Sequence, residues 1–555
     1  MKMSLKSITA LFLMLFLMTG LISGCQDTEK AKTPTRDENI SQTQTPQPDE
    51  QKSTGKSDES TDESGLLAEP GTEVTVWHSF SSSVVSSFND SNFIDYLEEK
   101  TGVRLRFIES PTADATINFN LMLSSGDFPD IIRQGNLEYP GGGDKAIEDG
   151  VYLRLNELIE EAMPNYSAIR AKGENYSKMT ISDSGNIWAI WSIKDPAEPP
   201  WMGLGIRKDI LDKYGIELPV TLDDWEVALT VIRDDGVQFP LILNQSGVMY
   251  DSEFLSAWDI GRDFYQIDGK VHYGYTQTEF REYLTLMNKW YKARLIDQDF
   301  IGKGVTMFVG GTGEASNQMN LGNVGAFLTS WGFSANRRAA AGLTEINEMW
   351  IEPVQAPVLN KGDRVKFRFT NFEAYVPNAI STGCKDPVLV AKLMDYLYSE
   401  EGTRLMNYGK EGISYIMVDG KPRYTDIILH DPDGFVPRDI AMKYMWDDGI
   451  GIVDYTRLWQ PFEETAPDAL KAYEVWNRDG NEYVMPPISL TDAEGEEFST
   501  IMGDINTFVT ESITSFIMGS KSLTEFDNFV EQIKSMNIER AIEIQQEALD
   551  RFNAR

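Results

Sequence analysis

The chain has 555 residues and is strongly acidic, with 86 Asp and Glu against 50 Lys and Arg and a formal net charge of −36. Such a charge repels polyanions, and no cluster of Lys and Arg interrupts it, so nucleic acid and anionic membrane surfaces are poor partners. Only three histidines and two cysteines are present, and they are scattered, which excludes a zinc site of the usual ligand spacing.

The first 24 residues are predicted to be a signal peptide. A start with two lysines leads into about fifteen mostly apolar residues, Ile8 to Ile22, and then into small Ser23 and Gly24. The apolar run is shorter than the roughly 20 residues of a stable membrane span. The tetrapeptide from Ile22 to Cys25 resembles the lipobox of bacterial lipoproteins, which implies cleavage before Cys25 and a lipid on its sulfur. The alternative is an ordinary signal peptide and an idle thiol.

Residues 25–71 are predicted to be the lipidated cysteine and a disordered tether. From Gln26 to Pro70 the chain is rich in Thr, Ser, Gln, Asp, Glu and Pro and has no aromatic residue, so it cannot bury enough surface to fold. A flexible segment after a lipid anchor lets the folded part stand off the membrane. Removal of the signal takes away two lysines and no acid, which changes the formal charge to −38. With Cys25 modified, Cys384 has no disulfide partner.

The folded part begins with a β–α–β pattern. Alternation over Glu73 to Trp77 predicts a strand, and the segment "FNDSNFIDYLEEKTG" after it predicts a helix that ends at Gly102. The alternating "VRLRFIE" and the short apolar run in "PDIIRQG" predict further strands. This order indicates an α/β protein in which helices cover a sheet.

Local signals mark several further helices. Thr221 and Asp224 have capping-box spacing, and Trp225 lies on the apolar face of the helix that follows. Thr276 and Glu279 have the same spacing before a second amphipathic helix. Near the C-terminus, another such box, Ser522 and Glu525, precedes a long stretch of helical periodicity.

Two hairpins are predicted from Asp-Gly pairs that lie between alternating residues. They turn at Asp268-Gly269 and at Asp419-Gly420.

No motif for covalent chemistry stands out. The glycine-rich "FVGGTGEAS" lacks the Gly-Lys-Ser/Thr of a phosphate-binding loop, and no nucleophile elbow of the G-x-S-x-G type occurs. Sugar hydrolysis needs two carboxylates a few ångströms apart, and the many acidic residues mark no particular pair. A glycosidase therefore stays open as an alternative, but no residue pattern favours it.

Aromatic residues beside Gly, Ser, Asn and Arg in predicted loops are the main functional signal. They occur in "VWHSFSSS", "NIWAIWSI", "EPPWMG", "LTSWGFSANRR" and "RLWQPF". Sugars present C–H patches that pack on aromatic rings and hydroxyls that need hydrogen-bond partners, so such surfaces suit carbohydrate ligands.

Several segments together resemble the extracellular solute-binding lipoproteins of bacterial ABC importers, in the large Gram-positive branch related to oligosaccharide binders. The resemblance runs from about residue 72 to the end. It is carried by "FPDIIRQGNLEYPGGGDKAIEDGVYLRLNELIEEAMPNYSAI", "GLGIRKDILDKYGIELPVTLDDWEVAL", "GKVHYGYTQTEFREYLTLMNKWYKARLIDQDF", "GISYIMVDGKPRYTD" and "FIMGSKSLTEFDNFVEQIKSMNIERAIEIQQEALDRF".

The resemblance implies a two-lobed periplasmic-binding-protein-like fold of type II, with ligand held in a cleft that closes by hinge motion. Lobe 1 is expected to comprise residues 72–195 with about 370–420, and lobe 2 residues 196–369 with about 421–555. Chain crossings between the lobes are expected near "WSIKDPAEPPWMGLG" and "NFEAYVPNAIS".

The resemblance also suggests candidate ligand-binding residues. Some positions match the family's first cleft loop, the end of a cleft strand, an aromatic wall and a crossing segment, and these are His78, Phe80, Arg133, Gln134, Trp331 and Tyr375. Local context alone adds Trp191, Trp201, Trp446 and Trp459. Many relatives carry a calcium loop after the helix that corresponds to "DDWEVALTVI", whereas this chain has "RDDGVQFPLIL", so no calcium, other metal or cofactor is predicted.

The predicted function is capture of a carbohydrate, in particular an oligosaccharide, and its delivery unaltered to a membrane permease. The partners are the permease and its cytoplasmic ATPase, and the protein is expected to be a lipid-anchored monomer on the extracellular face of the membrane, not an enzyme. The alternatives are a secreted glycan-degrading lipoprotein, a peptide-binding protein and a sensory solute-binding protein.

Overall fold

A computed structural model of the chain describes most of the sequence after the tether. The described residues are 65–555, except 83, 135–136, 138, 196–197, 250–251, 303–307, 310–313, 336–348, 369–373 and 464–465. The predictions for the signal peptide, for Cys25 and for tether residues before 65 lie outside the described residues. Within the described ranges, no helix combines the length and apolar character that a membrane span needs.

The strands fall into two main sheets and two hairpins. In chain order they are β1 (Thr72–Ser79), β2 (Val103–Ser110), β3 (Ile131–Arg133), β4 (Ile190–Lys194), β5 (Met202–Arg207), β6 (Phe239–Leu241), β7 (Phe264–Ile267), β8 (Lys270–Tyr273), β9 (Phe308–Val309), β10 (Val324–Ser330), β11 (Ile351–Val354), β12 (Ala374–Ile380), β13 (Tyr415–Val418), β14 (Lys421–Tyr424) and β15 (Ile452–Val453).

Helices surround both sheets. In chain order they are α1 (Asn92–Thr101), α2 (Ala115–Ser125), α3 (Gly142–Glu148), α4 (Asn156–Ala162), α5 (Pro164–Arg170), α6 (Glu174–Met179), α7 (Lys208–Lys213), α8 (Leu222–Asp234), α9 (Thr278–Lys292), α10 (Glu314–Asn320), α11 (Pro387–Tyr396), α12 (Glu400–Tyr408), α13 (Asp426–Leu429), α14 (Pro437–Ala441), α15 (Lys471–Trp476), α16 (Asp492–Met518), α17 (Phe526–Ser535) and α18 (Ile538–Ala554).

The first sheet has the strand order β15-β4-β12-β3-β1-β2. The predicted β–α–β unit is confirmed, because β1 and β2 pair in parallel from Thr72–Val103 to Ser79–Ser110 with α1 between them. Helix α1 ends at Gly102, whose φ of +78° is left-handed; a Cβ there would lie 1.8 Å from the carbonyl oxygen of Ala68, so only glycine fits.

The second sheet has the strand order β11-β5-β10-β6, and β9 pairs with β10. Its core includes α8, where the predicted capping box is present: the Thr221 side chain accepts from the Asp224 N–H and the Asp224 side chain accepts from the Thr221 N–H. Trp225 is fully buried on the apolar face of that helix. The predicted start and core face of α8 are therefore confirmed.

The predicted cap of α9 is wrong. The helix begins at Thr278 with Gln277 as its N-cap, and no side chain caps it. Thr276 instead closes a 3₁₀ turn, where its hydroxyl donates to the carbonyl oxygen of Tyr273 at 2.9 Å. The helix is amphipathic as predicted, with Phe280 and Leu284 fully buried on its apolar face.

Both predicted hairpins are confirmed. Strands β7 and β8 pair antiparallel around Asp268-Gly269, and β13 and β14 pair around Asp419-Gly420. All four turn residues have positive φ, between +50° and +78°. This is the conformation that two-residue hairpin turns require and that Asp-Gly pairs adopt readily.

The two sheets have separate hydrophobic cores and define two lobes. The first lobe is the first sheet with side chains such as Val76, Phe93 and Leu155 in its core. The second lobe is the second sheet with side chains such as Leu204 and Phe516 in its core. The fold is thus α/β and two-lobed, as predicted.

The chain passes between the sheets at the places where crossings were predicted. Strand β4 of the first sheet is followed by β5 of the second, and β11 of the second sheet is followed by β12 of the first. Residues 454–470 lead from β15 in the first sheet to α15, whose Trp476 donates to the Leu204 carbonyl in β5 at 3.1 Å. The exact lobe boundaries stay a prediction, and the pairing of β15 with β4 links part of residues 421–555 to the first sheet.

Candidate ligand-binding site

One edge of the first sheet collects the ends of several strands. Strands β1, β2 and β3 are parallel, and both β3 and β4 pair antiparallel with β12. The carboxyl ends of β3 and β4, at Arg133 and Lys194, therefore lie at the same edge as Ala374, where β12 begins. The carboxyl edge of a parallel sheet is the usual position of ligands in α/β proteins.

A matching edge exists in the second sheet. Strand β10 ends at Ser330, which pairs with Met202 at the start of the antiparallel β5, and β11 ends nearby at Val354. In the sequence, only residues 195–201 separate Lys194 at the first edge from Met202, and residues 355–373 separate Val354 from Ala374. The two edges are therefore joined by the crossings, and the region between them is the candidate ligand-binding site.

Arg133 organises the first edge. Its Nη1 donates to Asn378 Oδ1 at 2.9 Å and to Ser192 Oγ at 3.4 Å, and its Nη2 donates to the carbonyl oxygen of Asp448. The guanidinium lies 5.6 Å from the ring centroid of Trp446. Arg133 is buried, and this burial lowers its pKa. Arg133 thus connects three strands and the Asp448 turn.

Tyr375 and Lys194 form the polar surface beside Arg133. The Tyr375 hydroxyl donates to Asp448 Oδ1 at 3.3 Å, and Lys194 Nζ lies 4.5 Å from the centroid of the Tyr375 ring. Lys194 also forms a 2.5 Å ion pair with Glu198 of the crossing, and both side chains are largely buried. This pair ties the end of β4 to the crossing that leaves it.

Two aspartates extend the polar surface. Asp447 pairs with Arg438 at 2.9 Å and with Arg457 at shorter range. Burial by itself would raise the pKa of Asp447, but the two guanidinium groups lower it to about 2, so the carboxylate is charged. The Asp448 side chain is 46% exposed and lies 3.5 Å from Arg438.

Aromatic side chains line the second edge, and we call them the tryptophan cluster. Its members are Trp201, Trp331, Trp459, Phe462, Tyr473 and Trp476. Trp331, immediately after β10, has its ring centroid 5.3 Å from that of Tyr473, and Trp459 lies 4.9 Å from Tyr473. A Cβ at residue 203 would lie 2.6 Å from the Trp476 ring, so Gly203 allows this ring to pack directly on β5.

The polar surface and the tryptophan cluster adjoin each other. Residues Tyr455–Phe462 form a 3₁₀ helix that contributes to both groups: its Arg457 pairs with Asp447, and the ring centroid of its Trp459 lies 4.9 Å from that of Tyr473. Tyr455 in turn packs on Trp459 with a centroid distance of 5.5 Å. This 3₁₀ helix therefore joins the polar surface to the tryptophan cluster.

Three of the sequence-predicted residues lie in an aromatic group inside the first lobe. The His78 ring lies 5.8 Å from Phe80, 5.6 Å from Phe107 and 6.5 Å from Trp446. Burial, with a smaller effect of Arg133, lowers the pKa of His78 to about 3, so its imidazole is neutral. Trp446 is only 1% exposed and belongs to the core of this lobe.

Two more predicted residues lie near Tyr152 and Trp188. The Gln134 amide donates to the Tyr152 hydroxyl at 2.5 Å, and the Tyr152 ring stacks on Trp188 at 6.1 Å. Trp191 packs edge-on against Trp188 at 5.4 Å.

The structure thus brings Arg133 and Tyr375 together at the first edge, and Trp201, Trp331 and Trp459 together at the second. His78, Phe80, Gln134, Trp191 and Trp446 lie in groups within the first lobe. The role of all ten residues in binding stays a prediction.

Sequence reasoning missed several residues of this region. Lys194 and Glu198 stand within the crossing segment that was singled out for its tryptophans, and the pair Asp447-Asp448 precedes a glycine just before β15. Tyr473 and Trp476 have i, i+3 spacing in "AYEVW", a helical aromatic pair that could have been noted.

No group of three or more His, Cys, Asp or Glu side chains in the described part of the chain is placed to hold a metal ion. The predicted absence of calcium stays a prediction.

Curated relatives match the chain along most of its length, although no protein-family model matches it. The fructooligosaccharide ABC transporter substrate-binding protein FusA of Streptococcus pneumoniae is 22% identical over 501 residues, 84% of this chain and 88% of FusA. The polygalacturonan/rhamnogalacturonan-binding protein YtcQ of Bacillus subtilis is 19% identical and covers 82% of this chain and 87% of its own length. Lipoprotein LipO of the same organism is 20% identical over 58% of this chain and 64% of LipO.

Solved structures share the fold. FusA in complex with kestose superposes with a TM-score of 0.66 at 19% identity, over 87% of this chain and all of that one. Alginate-binding protein AlgQ2 without calcium ion gives a TM-score of 0.63 at 22% identity, over 88% of this chain and all of that one. The chain is thus similar in sequence, over most of its length, to substrate-binding proteins of ABC transporters, and it shares the fold of the solved structures.

Proposed function

We propose that the chain is the substrate-binding subunit of an ABC importer and that it holds an oligosaccharide between its two lobes. The observation that carries this proposal is the meeting of the tryptophan cluster with the polar surface of Tyr375 and Asp448. Aromatic rings pack on the C–H faces of a sugar, and carboxylate and hydroxyl groups bond its hydroxyls. The carbohydrate ligands named for FusA and YtcQ support the same ligand class.

We also propose that the ligand is released unaltered. A glycoside hydrolase needs a carboxylic acid with a raised pKa that protonates the leaving oxygen. Asp447 does not meet this requirement, because Arg457 and Arg438 hold its pKa at about 2. Burial raises the pKa of Asp479 to about 7, but this side chain is buried and accepts from the Ala356 N–H and the Gln355 amide, which gives it a structural role. A binding protein needs only that closure of the lobes is favoured by a ligand that contacts both.

The proposed location is the outer face of the cell membrane, with the lipidated Cys25 as anchor and the tether as spacer. A monomer on such a tether could deliver its ligand to permease subunits that are driven by a cytoplasmic ATPase. The support comes from the sequence of the first 71 residues and from the relatives that are named as lipoprotein or ABC transporter components. A Cys25→Ser variant expressed in a Gram-positive host should appear in the medium, and its retention on the membrane would contradict the anchor.

The test of ligand binding uses the mature chain with Cys25→Ser. Calorimetry against neutral and acidic oligosaccharides and against mixed peptides should give heat of binding with an oligosaccharide. Chromatography after incubation should return that sugar with its original length. Binding of peptides but of no sugar, or shortening of the sugar, would overturn the proposal.

A further inference from the structure

Exposed apolar side chains are concentrated in one segment after α12. In the described part of the chain, 18 large apolar side chains are between 37% and 71% exposed, and seven of them lie within residues 413–436. They are Ile413, Ile416, Met417, Val418, Ile427, Phe435 and Val436. We call this set the hairpin surface, because it begins at hairpin β13–β14 and continues over α13 to the start of α14. Such a concentration is typical of an interaction site, whereas single exposed apolar residues are not.

A small core of its own holds this segment in place. The Tyr408 ring lies 5.8 Å from the ring of Tyr415 and 5.5 Å from that of Tyr424, and Ile428 and Ile440 are buried beside them. The three residues that follow Tyr415 in β13 are all exposed. The outer part of the hairpin therefore projects from this core into solvent.

The surroundings of the hairpin surface are acidic. Residues 411–436 contain two basic residues, Lys421 and Arg423, and five acidic ones, Glu411, Asp419, Asp426, Asp431 and Asp433. Arg423 pairs with Glu463, and the cations that flank the segment, Lys410 and Arg438, also have carboxylate partners. An apolar centre with an acidic rim fits a protein surface that presents apolar side chains surrounded by Lys or Arg.

The hairpin is bonded to the crossing that carries part of the candidate site. The Tyr424 N–H in β14 donates to Gln460 Oε1 at 2.8 Å, and the Gln460 amide donates to the Pro422 carbonyl at 3.1 Å. Gln460 belongs to the 3₁₀ helix Tyr455–Phe462 and follows Trp459 of the tryptophan cluster. A protein that binds the hairpin surface therefore contacts an element that is tied directly to the ligand site.

From these observations we infer that the hairpin surface is a docking site for the extracellular face of the permease. The inference rests on the proposed function, since it assigns a surface to the partner of the same binding protein. The chemistry that fits is an apolar patch of the permease with basic residues around it. Because β14 is bonded to the 3₁₀ helix of the site, docking here couples the permease to the state of that site.

Three other occupants fit this surface less well. An anionic bilayer repels the acidic rim, and a second copy of the chain would place the same rim against itself. The tether is a poor occupant as well, because residues 26–64 have Ile40 as their only large apolar residue and carry ten acidic against five basic residues.

The test replaces exposed side chains of the hairpin. The double variant Ile416→Ser, Val418→Ser changes positions that are 47% and 45% exposed, so the fold should be retained. In a host strain that lacks its own copy of the chain, the anchored variant should take up the oligosaccharide found by calorimetry about ten-fold more slowly than the wild type, or slower still. The reason is that each substitution removes apolar contact area from the complex with the permease. Calorimetry on the same variant with Cys25→Ser should show unchanged sugar affinity, which places the loss in docking.

The matched control is the double variant Val220→Ser, Val227→Ser. These positions are 47% and 50% exposed and lie at and just before α8. Uptake and sugar affinity should both equal those of the wild type. An equal loss of uptake in this control would overturn the inference, because the effect would then not be specific to the hairpin.

The remaining outcomes separate the two proposals. Full uptake by the hairpin variant would overturn the inference and leave the proposed function standing. Three further results would assign the surface to another occupant and also overturn the inference. These are binding to phosphatidylglycerol vesicles or dimerisation of the Cys25→Ser chain that the hairpin variant abolishes, and protection of β13 amides from hydrogen exchange that deletion of residues 26–64 abolishes. If the wild type neither binds nor takes up any sugar, both proposals are overturned.

Discussion

Trp331 is the residue on which the aromatic half of the candidate site depends. It follows β10 directly, is 7% exposed and contacts both Phe462 and Tyr473. It therefore connects the second sheet to the crossing formed by residues 454–470. Its position combines a packing role with the proposed role as a wall for a sugar ring, and substitutions of different size separate these two roles.

We expect Trp331→Ala to weaken oligosaccharide binding by about ten- to a hundred-fold, because removal of a stacked aromatic ring costs about 1 to 3 kcal/mol. Trp331→Phe keeps a ring and should retain most of the affinity in titration calorimetry. The matched control is Trp258→Ala, since Trp258 packs on the core of the second lobe, donates to Glu282 of α9 and is not part of the tryptophan cluster. Unchanged affinity in Trp331→Ala would contradict the placement of the site.

Asp479 is a buried carboxylate beside a crossing. It accepts from the Ala356 N–H and from the Gln355 amide, each at 3.3 Å, where the chain leaves β11. Burial raises the pKa of Asp479 to about 7, while hydrogen bonds and the nearby Arg364 and Arg368 oppose the shift. Between about pH 4 and pH 7, Asp479 therefore keeps its proton in the folded state and loses it in the unfolded state.

The sign of the pH dependence follows from this raised pKa. The contribution of Asp479 to the free energy of unfolding is fully present below about pH 4 and is lost as the pH rises to about 7. In that range the folded state binds more protons than the unfolded state, so a rise in pH favours unfolding. We expect Asp479→Asn to be more stable than the wild type at pH 8, by about 2 to 4 kcal/mol, and to differ little at pH 4. Urea unfolding at the two pH values measures this, with the exposed Asp363→Asn as control.

At the scale of elements, helix starts show how far a local pattern can be trusted. Thr221 and Thr276 each stand three residues before an acidic residue and at the start of an amphipathic helix. Only Thr221 acts as a cap, since the chain before α9 first makes a 3₁₀ turn that uses the Thr276 hydroxyl. The Thr276 hydroxyl bonds the Tyr273 carbonyl instead of the start of α9, and this local hydrogen bond explains why the predicted cap does not form.

The two threonines form a natural pair of variants. Thr221→Ala should lower the free energy of unfolding by about 1 kcal/mol, because it leaves an N–H at the start of α8 without its acceptor. Thr276→Ala removes one hydroxyl donor but no cap, and should cost less. Both values come from urea denaturation of the same parent chain. An equal or larger loss in Thr276→Ala would contradict the assignment of Gln277 as the N-cap.

At the scale of the whole molecule, the end of α18 joins the lobes without a covalent crossing. The first half of this helix belongs to the core of the second lobe, while its last residues contact the first lobe. There Asp183 accepts from Arg551 Nε at 2.6 Å and from Arg555 Nε at 2.9 Å, and Arg551 also binds Glu494. These charged side chains are largely shielded from water.

We expect Asp183→Ala to lower the free energy of unfolding by about 1 to 3 kcal/mol, because it leaves two partly buried guanidinium groups without their shared carboxylate. The control is Asp527→Ala, which removes the partner of Arg281 at an 81% exposed position and should cost less than about 1 kcal/mol. Thermal or urea denaturation compares the two. Equal small losses would show that the C-terminal helix is not held by this network.

The candidate site was only partly predictable from the sequence. Trp331 and Tyr375 were named from the resemblance, and the structure places Trp331 directly after β10 of the second sheet and Tyr375 in β12 of the first. Trp446 was named from its polar neighbours, yet Phe88, Phe93 and Phe107 enclose it in the first lobe. The neighbours that enclose a ring come from distant parts of the chain, so local context cannot tell a surface ring from a core ring.

The sequence by itself determined the elements of this protein. Alternation of apolar and polar residues, capping boxes and Asp-Gly pairs are patterns of residues a few positions apart. The β1–α1–β2 unit, α8 and both hairpins were therefore predictable. Only the tertiary structure decided the charge of the site. The pairing of Lys194 with Glu198, and of Asp447 with two arginines, depends on how the crossings bring strand ends together. Coulomb energy depends on distance in space and on burial, and neither can be read along the chain.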